Sequence, residues 1–208
     1  MNIPKWLKIA RELHSISQVG LEHAHGGYDT ERYERLREIS AEIIVAKSTL
    51  TKEEVLKSFA MQPGYITPKV DVRAAVFRDE QILLVQEAND HHWSLPGGWA
   101  DVGDTPSEAI IREVREESGF NVRAIRVVGV YDANRVPKEE MMPFYHAFKL
   151  LFLCEIIDGE ARPSHETPDV GFFSLADLPP LSLYRTNQGI IEDAFSQKKN
   201  LAQATHFD

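Results

Sequence analysis

The chain has almost no cysteine: Cys154 is the one thiol in 208 residues, and it sits inside an apolar run. That excludes a disulfide framework within the chain and a cysteine-built zinc cluster, and it reads as a packed core thiol. No apolar stretch approaches the about 18 residues a membrane-spanning helix needs. The first eighteen residues alternate apolar and charged side chains and lack the unbroken apolar core of a secretory leader, so a cytoplasmic location is expected. Positive charge is also scarce, with 23 basic against 32 acidic residues and a formal charge of −9. Broad nucleic-acid affinity through phosphate neutralisation is therefore not expected, nor a stable nucleic-acid partner. Residues 1–60 carry nine basic and nine acidic side chains, so the excess negative charge lies wholly in residues 61–208. Such a surface repels an anionic substrate unless bound cations reverse the local sign.

What is present is an ordinary globular composition, 43% hydrophobic and 26% charged. Residues 1–60 read as three short helices. In the first, Trp6, Leu7, Ile9, Ala10, Leu13, Ile16 and Val19 recur at helical spacing until Gly20 weakens the pattern. The second takes Asp29 as N-cap and carries Tyr33, Leu36, Ile39, Ile43 and Ile44. The third opens with the capping box Thr51 and Glu54. The His23-Ala24-His25 pair reads as a turn with exposed imidazoles. Three stripes in so small a segment need a further surface to cover them, which predicts a dimerisation domain, the competing reading being that the helices pack on the second domain of their own chain. Residues 61–69, rich in proline and glycine, are the expected linker to a domain over 70–208.

From Val70 the period changes to two. Strands are expected at 70–76, 82–85, 122–131, 144–157 and 171–175, with a turn at Asp158-Gly159 and a closing helix over about 185–197. A helix is expected over 106–118, with Thr105 as N-cap, Pro106 at the first helical position, Glu108 completing a capping box and Gly119 at the left-handed stop. Strands around that helix and a second helix at the end make an α+β sandwich.

On the 106–118 helix Glu113, Glu116 and Glu117 share one face at i, i+3 and i+4. The apolar Ile110, Ile111 and Val114 fall on a neighbouring stripe, so the acidic stripe is expected beside the core, not in it. The preceding loop adds Asp101 and Asp104 with Gly97, Gly98 and Gly103. Hard oxygen donors on permissive backbone favour Mg²⁺ or Mn²⁺ over zinc. A solvated acidic face is the alternative when the three glutamates are taken alone.

The run 98–120 resembles the Nudix box, G-x5-E-x7-R-E-U-x-E-E-x-G-U with U apolar. Gly98, Arg112, Glu113, Val114, Glu116, Glu117, Gly119 and Phe120 fall in register, and Asp104 stands where the pattern has Glu. Residues 67–73, 93–99 and the region 6–33 are similar to the two-domain Nudix subgroup with an N-terminal helical domain. The resemblance implies a Nudix-type α/β/α sandwich with a mixed sheet after a small all-α domain. It implies divalent cation binding at Glu113 and Glu117, helped by Glu116, with the Gly97 carbonyl and Asp104 as further ligands, and Arg112 pairing with loop carboxylates. Glu116 or Glu113 is an expected base within the box. Relatives often take a Glu from a late loop instead, which here points to Glu166, with Asp169 as alternative. Arg73, Asn134 and Arg135 are the expected substrate contacts, and Trp93, Trp99, Tyr131 and Phe144 are possible stacking surfaces. The implied activity is hydrolysis of a nucleoside diphosphate linked to X, first CDP-choline to CMP and phosphocholine, second ADP-ribose to AMP and ribose 5-phosphate. Pro137, near where ADP-ribose enzymes of the family carry a proline, favours the second. A Nudix-like ligand-binding regulator without catalysis is the remote alternative, and such a protein is expected to lack one of Glu113, Glu116 and Glu117.

Overall fold

The computed structural model describes residues 4–61, 64, 66–133 and 146–208. The chain divides into two compact units. One holds the described residues before Lys69 together with His146, and the other starts at Lys69.

The first unit is three helices, α1 (Lys5–His23), α2 (Gly27–Val45) and α3 (Lys52–Ala60). Ala10, Ala41, Ile44, Val55 and Phe59 form its buried core. The α1 and α2 helices meet where a Cβ on Gly20 would lie 2.2 Å from the Tyr33 ring. The missing side chain of Gly20 lets α2 approach, and α1 continues through it to His23, where the turn is expected. Asp29 is not the cap of α2 either, because the helix starts two residues earlier, at Gly27, and Asp29 lies in its first turn. An acid there suits the positive end of the helix dipole. The Thr51 and Glu54 capping box of α3 is formed as read.

In the second unit β1 (Lys69–Arg78) turns back into β2 (Gln81–Gln86), and β3 (Trp93–Ser94) leads to α4 (Pro106–Ser118). Then follow β4 (Phe120–Asp132), β5 (Ala147–Gly159), β6 (Asp169–Ser174), α5 (Gln188–Lys199) and β7 (His206–Phe207). The strands run in the order β3-β2-β1-β5-β4-β7, with β6 also on β2. The sheet is mixed: β1 runs parallel to β5, whereas β4 and β5 are antiparallel. The alternation of β1 divides its side chains. Val72, Ala74 and Val76 pack with Ile110 and Val114 of α4, while Ala75 packs with Ile191 and Phe195 of α5. One helix on each face is the α/β/α sandwich expected. Cys154 is buried in the α4 layer, and burial pushes its thiol up to about 12, in keeping with a packing role.

Several boundaries differ from the sequence reading. Asp158-Gly159 does not end β5 early, because Gly159 is paired with Phe120. The closing helix begins at Gln188, capped by the Asn187 side chain, since residues 182–186 form a turn that docks on β3. The short β7, parallel to β4, was not foreseen, as two residues carry no periodicity. The start of the expected 144–157 strand at Phe144 lies outside the described residues. Among those residues no helix is long and apolar enough to cross a membrane.

Candidate active site

The site begins with a glycine turn strapped along β1. The Ala74 amide donates to the Pro96 carbonyl at 2.9 Å, Val72 to Gly98 at 2.8 Å, and Ala100 to Val70 at 3.0 Å. Gly97 holds φ +136°, and a Cβ there would stand 2.0 Å from the Val72 carbonyl oxygen, so glycine is required on two grounds. At Gly98 a Cβ would come within 3.1 Å of a Glu113 carboxylate oxygen, and that missing side chain is the space Glu113 occupies. The α4 helix is delivered by its capping box and stopped at Gly119, φ +80°, with the boundaries that its local signals dictate.

On α4 the three glutamates are not equivalent. Glu117 is 9% exposed and accepts the Gly97 amide at 2.7 Å. Burial, with Glu87 and Glu113 nearby, pushes its carboxyl up to about 8, against the opposing pull of Arg73 and the Gly97 amide. Glu113 is also raised, chiefly by burial, and Arg112 opposes it. The Glu116 side chain is exposed. The expectation that the acidic stripe lies outside the core is thus corrected for Glu117: the glycine turn folds over the helix C-terminal half and shields it.

Arg112 gathers the loop. Its Nη2 lies 3.1 Å from Asp101 and 3.3 Å from Asp104, and its Nη1 lies 2.8 Å from Glu113 and 3.3 Å from Glu116. One guanidinium is shared by four carboxylates, and Glu117 has no bond to it. The donors are carboxylates and backbone carbonyls without thiol or imidazole, which fits a hard divalent cation. Among the described residues no three acidic or histidine side chains already converge as a cage. Glu113 and Glu116 point to Arg112 and Glu117 to Gly97, so they would turn toward a cation on binding. The buried Glu117, whose carboxyl stays raised although Arg73 and the Gly97 amide oppose it, is the observation that calls for further positive charge there. Asp104, the further ligand expected from the loop, pairs with the same Arg112 as Glu113 and Glu116 do.

Of the expected substrate contacts, Arg73 is 5% exposed. Its Nε donates to Asp71 at 2.8 Å and its Nη1 to the Leu95 carbonyl at 3.0 Å. It is a buried structural cation beside the site, not an open arm. Asn134, Arg135, Pro137 and Phe144 lie outside the described residues. Tyr131 is buried in the α5 core with its hydroxyl donating to Asp193, so it offers no stacking face. Trp93 packs edge-on against Phe173. Trp99 is 42% exposed next to the glycine turn and is the available aromatic surface. Glu166 has an exposed carboxylate, 3.5 Å from His165, on a loop that is itself anchored. The Thr167 hydroxyl donates to the Glu117 carbonyl at 2.7 Å, and the Ala88 amide to the Glu166 carbonyl at 2.9 Å. Asp169, the alternative, lies at the start of β6 with its carboxylate accepting its own neighbour's amide.

The sequence reading missed Glu87 and Lys149. Glu87 is buried, accepting from Ser94 at 2.6 Å and pairing with Arg185 at 3.1 Å. Lys149 is 4% exposed with its ammonium 2.6 Å from Asp71. A lysine inside the apolar run of β5 was a readable signal, since a buried ammonium needs a partner.

Residues 67–194 match the NUDIX domain, which is most of the chain. The chain belongs to the Nudix hydrolases. Residues 4–59 match Nudix_N, described as a UDP-X-like N-terminal oligomerisation domain, so this Nudix pyrophosphohydrolase is of the two-domain kind. It is 38% identical over 204 residues to YjhB of Bacillus subtilis (strain 168), provisionally named an ADP-ribose pyrophosphatase, covering 98% of this chain and 97% of that one. A crystal structure of an ADP-ribose pyrophosphatase from Streptococcus suis 89-1591 is 41% identical, with a TM-score of 0.62, over 68% of this chain and 100% of that chain. A crystal structure of a UDP-X diphosphatase is 33% identical over the full length of both chains, with a TM-score of 0.63.

Proposed function

We propose that this Nudix hydrolase cleaves the diphosphate of a nucleoside diphosphate linked to a sugar or alcohol, with ADP-ribose as the substrate to test first. AMP and ribose 5-phosphate are then the products. The observation that carries the reading is the pair Glu113 and Glu117, one fitted into the gap at Gly98 and the other buried and tied to the Gly97 amide, each with its carboxyl raised chiefly by burial. The choice of ADP-ribose over CDP-choline rests on the names of the relatives 38% and 41% identical to this chain.

Glu113, Glu116 and Glu117 would hold the cation, Mg²⁺ or Mn²⁺, with the Gly97 carbonyl as a further donor. When bound it neutralises phosphoryl oxygens and lowers the pKa of water. Arg112 keeps the loop carboxylates Asp101 and Asp104 in place, and Glu113 and Glu116 would leave it for the cation. Glu166 takes the proton of the attacking water, its loop located by Thr167 and Ala88. Trp99 offers a face for the base or the X group. The helical unit joins two copies, as the description of its family suits. A cytoplasmic location remains the expectation of the sequence reading.

Incubation with Mg²⁺ and a panel of ADP-ribose, CDP-choline, UDP-sugars and dNTPs, with products resolved by chromatography, tests the reading. The expected result is AMP with ribose 5-phosphate at the highest kcat/KM. CMP with phosphocholine as the leading products replaces ADP-ribose by CDP-choline, and dNTPs leading every NDP-X compound would overturn the substrate class.

A further inference from the structure

Asp71 and Lys149 are direct partners across the parallel β1 and β5 strands, and Arg73 follows Asp71 on the same face two residues on. All three are buried, at 5, 4 and 5% exposure. The Lys149 ammonium stands 2.6 Å from Asp71 Oδ2, Oδ1 accepts Arg73 Nε at 2.8 Å, and Arg73 Nη2 reaches Oδ2 only at a long 3.4 Å. Turned that way, the guanidinium reaches the Leu95 carbonyl with Nη1 at 3.0 Å. Leu95 is the second residue before Gly97, whose amide holds Glu117. The Arg73 charge also acts on Glu117, Glu113 and Glu87.

Buried ion triads are poor devices for stability, because the desolvation of each charge offsets what the pairing returns. Their use is to fix one arrangement. Without Lys149, Oδ2 would be left to Arg73 alone, and closing its long contact with Nη2 would swing the guanidinium, draw Nη1 from Leu95 and leave a buried carbonyl unsatisfied beside the glycine turn. We propose that Lys149 and Asp71 are positioning residues of the metal site. They hold Arg73 so that its guanidinium fixes the Leu95 to Gly97 turn, whose Gly97 amide in turn holds Glu117. None of the three needs to touch substrate. The inference rests on the reading of Glu113 and Glu117 as cation ligands.

The test is direct Mn²⁺ binding to the folded full-length protein by electron paramagnetic resonance, alongside the Mg²⁺ half-activation concentration. Wild type is expected to bind and Glu117→Gln to lose binding; if wild type does not bind, it is the metal-site reading that fails. With binding established, Lys149→Met is expected to weaken Mn²⁺ affinity and raise the Mg²⁺ requirement about tenfold with KM for substrate at saturating metal unchanged, and Lys149→Arg to recover most of it. A purely structural role would lower Tm while leaving Mn²⁺ affinity of the folded protein as in wild type, and that result would overturn the proposal. Should Lys149→Met fail to fold, Arg73→Lys serves: it keeps the charge, cannot span Asp71 and Leu95 together, and is expected to show the same loss. Unchanged Mn²⁺ affinity in Arg73→Lys would equally overturn it.

Discussion

Glu117 adds its own pH dependence to the stability of the metal-free protein. Its carboxyl is raised from the ordinary 4.5 to about 8 in the folded state, so between those values the folded chain keeps a proton that the unfolded chain has lost. Stability contributed by this group is complete below pH 4.5 and falls as pH rises through 8. The slope is at most about 1.4 kcal/mol per pH unit, and the total a few kcal/mol at most. Metal-free wild type should therefore lose Tm between pH 5 and about pH 8 more steeply than Glu117→Gln, measured by thermal melts in chelator. A cation binds the ionised form, so Mg²⁺ should raise Tm more at pH 8 than at pH 6, and not at all in the variant. For catalysis, Glu117→Gln or Glu113→Gln should lower kcat by about a thousandfold, equivalent to roughly 4 kcal/mol of transition-state stabilisation. Steady-state kinetics at saturating Mg²⁺ checks this, and turnover like wild type in both variants would remove them from the metal site.

The glycine turn and α4 work as one element, and the two glycines fail differently. Gly97→Ala puts a methyl group against the Val72 carbonyl at a backbone angle that L residues avoid. It should cost more than about 1 kcal/mol of stability and abolish activity together. Gly98→Ala meets only the mobile end of Glu113. Tm should stay near wild type while the Mg²⁺ requirement rises, because the carboxylate must shift. Denaturation and metal titration of both variants separate the two effects, and a Gly98→Ala protein with normal metal demand would mean Glu113 needs no such gap. Thr105→Ala should remove about 1 kcal/mol through the lost cap. The α4 limits were legible because capping box, Pro106 and Gly119 are signals within one stretch. The α5 start was not, since the 182–186 turn is set by hydrogen bonds from Ser182 to Trp93 and from Leu95 to the Thr186 side chain, across about ninety residues.

In the whole molecule the helical unit has its own small core, yet Ile9 and Ile16 are 40% and 50% exposed, seven residues apart on one face of α1. An exposed apolar stripe on a unit matching an oligomerisation domain is the dimer contact we expect. Light scattering should show a dimer at tens of micromolar, and Ile9→Glu with Ile16→Glu should yield monomers with unchanged helical content. A double variant that stays dimeric would place the contact elsewhere.

Read alone, the sequence determined the family, the sandwich order, the span of α4 and the identity of the box carboxylates. Each is written in spacings of a few residues, where local geometry turns sequence distance directly into position. Only the tertiary structure decided which glutamate is buried, that Arg73 faces inward, and that Lys149 neutralises Asp71. Those facts join residues as far as 78 positions apart, and burial depends on what folds over a side chain, which no local pattern encodes.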